Sequence, residues 1–154
     1  MRPRRSPLSP ESESAVEIDV VAPERAAAFR RQHEREALST EWNFPVVWHE
    51  RTYDLAAFAD ERIVGALALR VAASLGRLES LAVVPELRRR GVGRRLLERA
   101  ETLANYYNCH KITLEAPVAS EALAFFEACG YKLEAVLPQH TWKRDVAVMR
   151  KFLL

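Results

Sequence analysis

Apolar and polar positions alternate in short runs along most of the chain, and between those runs the apolar spacing lengthens to three or four residues. AVEIDVVA (15–22) alternates and predicts a first strand. PERAAAFRRQHEREAL (23–38) opens with a proline suited to a first helical turn and is rich in Ala and Arg, which predicts a helix. STEWNFPVVW (39–48) is aromatic, is broken by Pro45, and reads as a loop or short helix. TYDLAAFADERIVGALALRV (52–71) predicts two strands joined at Asp60-Glu61, and GRLESLAVV (76–84) a third. In GVGRRLLERAETLANYYN (91–108), Val92, Leu96, Leu97, Ala100, Leu103 and Ala104 fall on one helical face. KITLEA (111–116) predicts a strand. SEALAFFEACG (120–130) predicts a helix with Ser120 as N-cap and Gly130 ending it. YKLEAVL and WKRDVAVMRKFL close the chain as two strands around PQHT, a hairpin. The order β-α-β-β-β-α-β-α-β-β predicts a mixed α/β domain.

Composition narrows the class without naming a function. A chain of 154 residues, 49% hydrophobic and 29% charged, has the size and apolar content of one compact domain with its own core. The net charge of +2 comes from 23 basic and 21 acidic residues, so no general attraction to nucleic acid or to a membrane surface is expected and any cationic function must be local. Cys109 and Cys129 form neither a disulfide framework nor a metal-ligand pattern, and each sits in an apolar stretch as a small core residue. No apolar run reaches the roughly 20 residues of a membrane span. The leading MRPRRSPLSPESES is basic but is followed by no apolar segment, so it is not a secretory signal. Its Pro, Ser and charge content predicts a disordered tail over 1–14, with the domain occupying 15–154. The expected compartment is cytoplasmic.

The local cationic candidate is PELRRRGVG (85–93), between a predicted strand and a predicted helix. Glycine at that junction allows close backbone approach to a ligand. The first helical turn leaves N–H donors free at the positive end of the macrodipole. A diphosphate suits such a place, with arginine adding charge. The spacing is neither the G-x-x-x-x-G-K-[ST] of a Walker loop nor the G-x-G-x-x-G of a dinucleotide fold. Taken alone, RRRGVG is a basic turn before an amphipathic helix, and its flanks move the reading toward an anion cradle.

With those flanks included, LESLAVVPELRRRGVGRRLLERAETLA resembles the acetyl-CoA-binding motif of the GNAT superfamily of N-acetyltransferases. The family pattern, Gln/Arg-x-x-Gly-x-Gly/Ala after a V-x-P-x-x-R approach, is met by Arg88, Gly91 and Gly93 with Val83 and Pro85 ahead. ALAFFEACGY (122–131) resembles the family's later A-x-x-F/L-Y-x-x-x-G-F block. The resemblance covers roughly 15–154 and is most specific over 78–131. It implies a mixed, mostly antiparallel central sheet with a splayed parallel strand pair and helices on both faces.

The resemblance also implies roles. Backbone N–H groups of Arg89, Arg90, Gly91, Val92, Gly93 and Arg94 would bind the pyrophosphate of coenzyme A, with Arg88 opening the motif. The backbone of Leu81, Ala82 and Val83 would pair with the pantetheine arm in the manner of an added strand, so the strand at 78–84 should splay from that at 111–116. Transfer would be direct, an amine attacking the acetyl-CoA thioester while a base removes its proton. Glu79 is the candidate base, and it reads equally as a polar residue of a half-exposed strand. The family's usual acid, a tyrosine, is replaced by Phe126, which has no proton to give and would pack against the pantetheine arm. The asparagine that often precedes this helix aligns with Ala119.

Other candidates stand beside these. Cys109 and His110 start a strand parallel to 78–84, which puts them away from the phosphate loop in structural roles. Tyr131 is expected in the core. His140 could face the amine or be an exposed loop residue. Trp42, Phe44 and Trp48 could line an acceptor pocket or pack as aromatic core. The acceptor would be a small-molecule or peptide amine, and the apolar final strand is compatible with a homodimer. A coenzyme-A-binding or regulatory module without transfer activity is the alternative raised by Phe126 and Ala119. A nucleic-acid binder is disfavoured by the near-neutral charge and the lack of an aromatic platform.

Overall fold

The computed structural model describes residues 16–42 and 49–153. The chain divides into two compact units, Met1–Val46 and Val47–Leu154.

In the first unit, helix α1 (Pro23–Glu41) starts with proline in its first turn and buries none of its residues. Its exposed surface is laced by a Gln32–Glu36 hydrogen bond of 3.2 Å at i,i+4 spacing. The expected strand at 15–22 is not formed over its described part. Residues 16–22 adopt no regular structure, and Val16, Ile18 and Val20 are exposed. Alternation marks a segment able to pleat, but a strand also needs a ladder partner, and this segment has none among the described residues.

The second unit carries a six-stranded sheet in the order β1-β2-β3-β4-β6-β5. The strands are β1 (Glu50–Ala59), β2 (Arg62–Ala72), β3 (Leu75–Val83), β4 (Lys111–Pro117), β5 (Lys132–Leu137) and β6 (Val146–Phe152). All neighbours are antiparallel except β3 and β4. The β1–β2 and β2–β3 connections are two-residue loops, Asp60-Glu61 and Ala73-Ser74, with positive φ at every position. That is the backbone that matches the twist of a hairpin, built here without glycine. The last pair is antiparallel as expected, but residues 138–145 separate its strands, including a single 3₁₀ turn at Thr141–Lys143.

Helix α2 (Val92–Tyr106) lies between β3 and β4, and helix α3 (Glu121–Ala128) between β4 and β5. Leu96, Leu97, Ala100 and Ala104 form the buried stripe of α2. They meet Leu67, Leu69 and Val71, the inward residues of β2, and Ile112, Leu114 and Met149 from β4 and β6. Phe126 brings α3 into the same cluster, so α2 and α3 pack on one face of the sheet. Gly76 is needed at the closed end of β3, where a β-carbon would stand 3.0 Å from Ile112 Cγ1. Ser120 caps α3 by accepting the Leu123 N–H at 3.1 Å.

Candidate active site

The site forms because β3 and β4 start together and then part. Leu75, Gly76 and Arg77 face Lys111, Ile112 and Thr113, and the pairing stops there. On its other edge β3 stays paired with β2 up to Val83, so its β4-facing edge beyond Arg77 has no strand partner among the described residues. Leu78 and Leu114 are buried at the base of the resulting wedge. Within the β2–β3 ladder, Leu78 faces Leu69 and Ser80 faces Ala68, which leaves Glu79 as the extra residue of a β-bulge. A bulge bends its strand and re-aims the unpaired side chain.

Above the wedge, the chain leaves β3 through a 3₁₀ turn at Pro85–Leu87 and enters α2 at Gly91, whose φ of 83° is left-handed. No side chain caps α2, and its first turn holds no acidic residue. The first intrahelical bond runs from the Arg95 N–H to the Gly91 carbonyl at 3.1 Å. The N–H groups of Val92, Gly93 and Arg94 therefore have no acceptor within the helix.

A cleft of about 740 Å³ runs from this turn down the open edge of β3. It brings together Glu79, Leu81, Ala82, Val83, Arg88, Arg89, Gly91, Gly93, Arg94 and Phe126 from the expected set. Arg90 and Val92 do not line it. Arg90 is exposed on the turn, while Val92 is directed into the core, so each could contribute only through its backbone. Two of the arginines also brace the turn. Arg88 donates through Nε to the Val83 carbonyl at 3.1 Å, and Arg94 donates through Nη2 to the Ala128 carbonyl at 3.2 Å. Arg89 lines the cleft with a positive φ of 60°.

A second cavity, of about 500 Å³, is lined by Arg77, Thr141 and Val146 together with Leu78, Glu79 and Glu115. The last three also line the first cleft, so Glu79 stands where the two meet. It makes no hydrogen bond or ion pair among the described residues. Its charge does reach Arg70: the hydrogen bond that this guanidinium donates to Glu50 holds its pKa above the ordinary value, and the Glu79 charge adds to the effect. Arg77 pairs with Glu115 at 3.2 Å.

Sequence reasoning missed Glu115, Phe125 and Thr141. Glu115 was recoverable from KITLEA, since burying Ile112, Leu114 and Ala116 sends Thr113 and Glu115 to the other face. Phe125 lines the cleft beside Phe126, and nothing in the FF pair says that both rings border it. Thr141 is brought in by the β5–β6 loop, whose path the sequence does not specify.

The remaining candidates lie elsewhere. His140 is exposed and bonds its own neighbour, Thr141 Oγ1, at 3.0 Å, without lining either cavity. His110 sits at the closed end of the wedge, where Nδ1 lies 2.8 Å from the Ser74 carbonyl. Cys109 and Cys129 are buried, and desolvation pushes both thiols up in pKa, the opposite of a reactive thiolate. Tyr131 is buried against Phe126 and donates to Glu101 Oε1 at 3.2 Å. Trp42 is half-exposed in the first unit, and Phe44 and Trp48 lie outside the described residues.

The glycine turn that the motif implied opens α2 at Gly91 in left-handed backbone, and comparison with known proteins identifies the family. The sequence model of the acetyltransferase (GNAT) domain matches residues 13–141. The chain belongs to the GNAT acetyltransferases. It is 30% identical over 142 residues to an uncharacterized N-acetyltransferase of Methanocaldococcus jannaschii, covering 88% of this chain and 85% of that protein. An acetyltransferase of Bacillus cereus shares the fold with a TM-score of 0.74 at 18% identity, over 90% of this chain and 99% of the other. An acetyltransferase of Bacillus subtilis in complex with coenzyme A has a TM-score of 0.63 at 19% identity, over 68% of this chain and 78% of its own.

GNAT acetyltransferases use acetyl-CoA as cofactor. The cleft fits that group on its own geometry. It pairs free helix-start N–H donors and arginines at one end with an unpaired strand edge and the Phe125 and Phe126 rings along its length. The first suits a pyrophosphate and the second a flexible amide-bearing arm.

Proposed function

We propose that this chain transfers the acetyl group of acetyl-CoA directly to an amine, with Glu79 as general base. The observation that carries the reading is the position of Glu79: the bulged residue of β3, without an ion pair among the described residues and lining both cavities. The backbone N–H groups of Arg89 to Arg94 hold the pyrophosphate, helped by the side chains of Arg88 and Arg89. Leu81, Ala82 and Val83 present the open edge of β3 to the pantetheine arm, and Phe126 packs beneath it.

Bound acetyl-CoA supplies a thioester whose carbonyl carbon bonds to the amine nitrogen as the C–S bond breaks and sulfur keeps the electron pair. Glu79 takes the proton that the nitrogen loses. Backbone N–H groups on the open strand edge lie where they can polarise the carbonyl oxygen. Among the described residues, no tyrosine, histidine, lysine or cysteine lines either cavity. The departing thiolate is therefore left to collect its proton from solvent, which a good leaving group tolerates.

Calorimetric titration with coenzyme A and acetyl-CoA, followed by thiol release against an amine panel, tests the reading. Binding together with acceptor-dependent release supports it. Binding without release against any amine points to a silent coenzyme-A module, the reading that Phe126 in place of a proton donor favours. A folded protein that binds neither form overturns both.

A further inference from the structure

We propose that the acceptor is a small aminocarboxylate, such as a free α-amino acid, and that Arg77 reads its carboxylate while Glu115 holds Arg77 in place. This deepens the transfer reading and rests on it. The second cavity, with Glu79 at its inner boundary, is the room left for an acceptor, and its roughly 500 Å³ suits a compact molecule. Its apolar walls are Leu78, Ala116, Pro117 and Val146. Apart from Glu79, its polar groups are Arg77, Glu115 and Thr141.

Among the described residues Arg77 is the only cation in that lining, two residues before Glu79 on β3. Its one side-chain bond among the described residues runs from Nη2 to Glu115 Oε1 at 3.2 Å. A guanidinium carries five N–H donors in a rigid fork, so most of its capacity remains for a second carboxylate. With 53% of its side chain exposed, it is reachable.

Arg77 is the ladder partner of Arg70, and like charges directly opposite one another repel. Glu50 offsets Arg70 and Glu115 offsets Arg77, and each carboxylate comes from a flanking strand. An acceptor carboxylate would therefore be held through the Arg77 N–H donors that Glu115 leaves free, by directed hydrogen bonds and not by net charge. Glu115 is a positioning residue, since it acts on the acceptor through Arg77.

The test compares L-alanine with L-alaninamide and L-methionine with L-methioninamide in the thiol-release assay. An amide's amine is less basic and more often neutral, so intrinsic reactivity favours the amide. A higher kcat/KM for the free acid therefore reports recognition of the carboxylate. We expect that preference in the unaltered protein. Arg77→Gln should raise KM for the acid about tenfold or more and for the amide much less, so that the preference for the acid is lost, with coenzyme A affinity unchanged. Glu115→Gln should raise KM for the acid with kcat retained. Equal use of acid and amide, or a preference that survives Arg77→Gln, overturns the inference and leaves the transfer reading standing. No thiol release from any amine defeats the transfer reading instead. In that case, titration of L-alanine and L-methionine into protein saturated with coenzyme A decides the subsite. Binding abolished by Arg77→Gln supports it, and no binding overturns it.

Discussion

The ring of Phe125 lies 3.3 Å from the point where a β-carbon on Gly93 would stand. Gly93 is already helical, so alanine gains helix propensity there. The added methyl must push the ring aside, and Phe125 borders the cleft. Gly93→Ala should leave the thermal midpoint nearly unchanged while weakening coenzyme A binding roughly tenfold, a cost of about 1.4 kcal/mol. Calorimetry and thermal unfolding on one sample separate the two effects.

Gly91 fails for a different reason. A β-carbon there meets nothing within 4 Å, yet φ is 83°. Left-handed backbone costs a residue with a β-carbon roughly 1–2 kcal/mol. Gly91→Ala should lower stability in urea by about that much. Gly91→Glu should in addition abolish coenzyme A binding, because it sets a carboxylate beside the N–H groups that would hold the pyrophosphate. Retained binding by a folded Gly91→Glu protein would remove the turn from the cofactor site.

Glu79→Gln keeps the shape of the bulged residue and removes its basicity. Turnover should fall by roughly 10²–10⁴, the usual range for a positioned base. Coenzyme A affinity should stay unchanged, since Glu79 lies mid-way along β3 and the turn that would hold the pyrophosphate begins beyond its end at Val83. Equal turnover by the variant across pH would take Glu79 out of the mechanism.

The elements that carry the site were legible because local rules decide them. Strand β2 buries Leu67, Leu69 and Val71 in strict alternation, and α2 buries Leu96, Leu97, Ala100 and Ala104 at helical spacing. RRRGVG was legible as a helix-starting turn for the same reason. The strand expected at 15–22 was misread because its residues pleat well on paper, and alternation carries no information about a partner. The bulge at Glu79 was not legible, since nothing local in LESLA marks which residue the β2 ladder will skip. Arg77 meets Glu115 only because β3 and β4 run parallel from a common end, a relationship that joins positions 38 residues apart.

Ala119 shows a local conflict that can be relieved. It is exposed with φ of 58°, just before the Ser120 cap of α3. Asparagine tolerates that backbone through local side-chain bonding. Ala119→Asn should therefore stabilise the fold by about 0.5–1 kcal/mol. It should appear as a higher urea midpoint with an unchanged slope. Coenzyme A affinity should not respond, because Ala119 does not line the cleft.

Tyr131, in the turn between α3 and β5, ties that turn to α2 and β6 through one carboxylate. Its hydroxyl donates to Glu101 Oε1, and Lys151 Nζ donates to both oxygens of the same group at 3.0 Å. Burial, then the Glu101 charge and hydrogen bond, raise the phenol's pKa well above its ordinary 10.0. The unfolded chain has no such environment. Above about pH 10 it loses the phenolic proton while the folded protein keeps it, so stability falls as pH rises, by at most about 1.4 kcal/mol per pH unit. Tyr131→Phe should cost roughly 1 kcal/mol near neutral pH, where Glu101 loses a donor but keeps Lys151. The variant should lack the alkaline loss, so its deficit relative to the unaltered protein should shrink as pH climbs past 10.0. Urea unfolding of both proteins at neutral and at alkaline pH checks this, and parallel stability curves would show that Tyr131 is not the group that titrates.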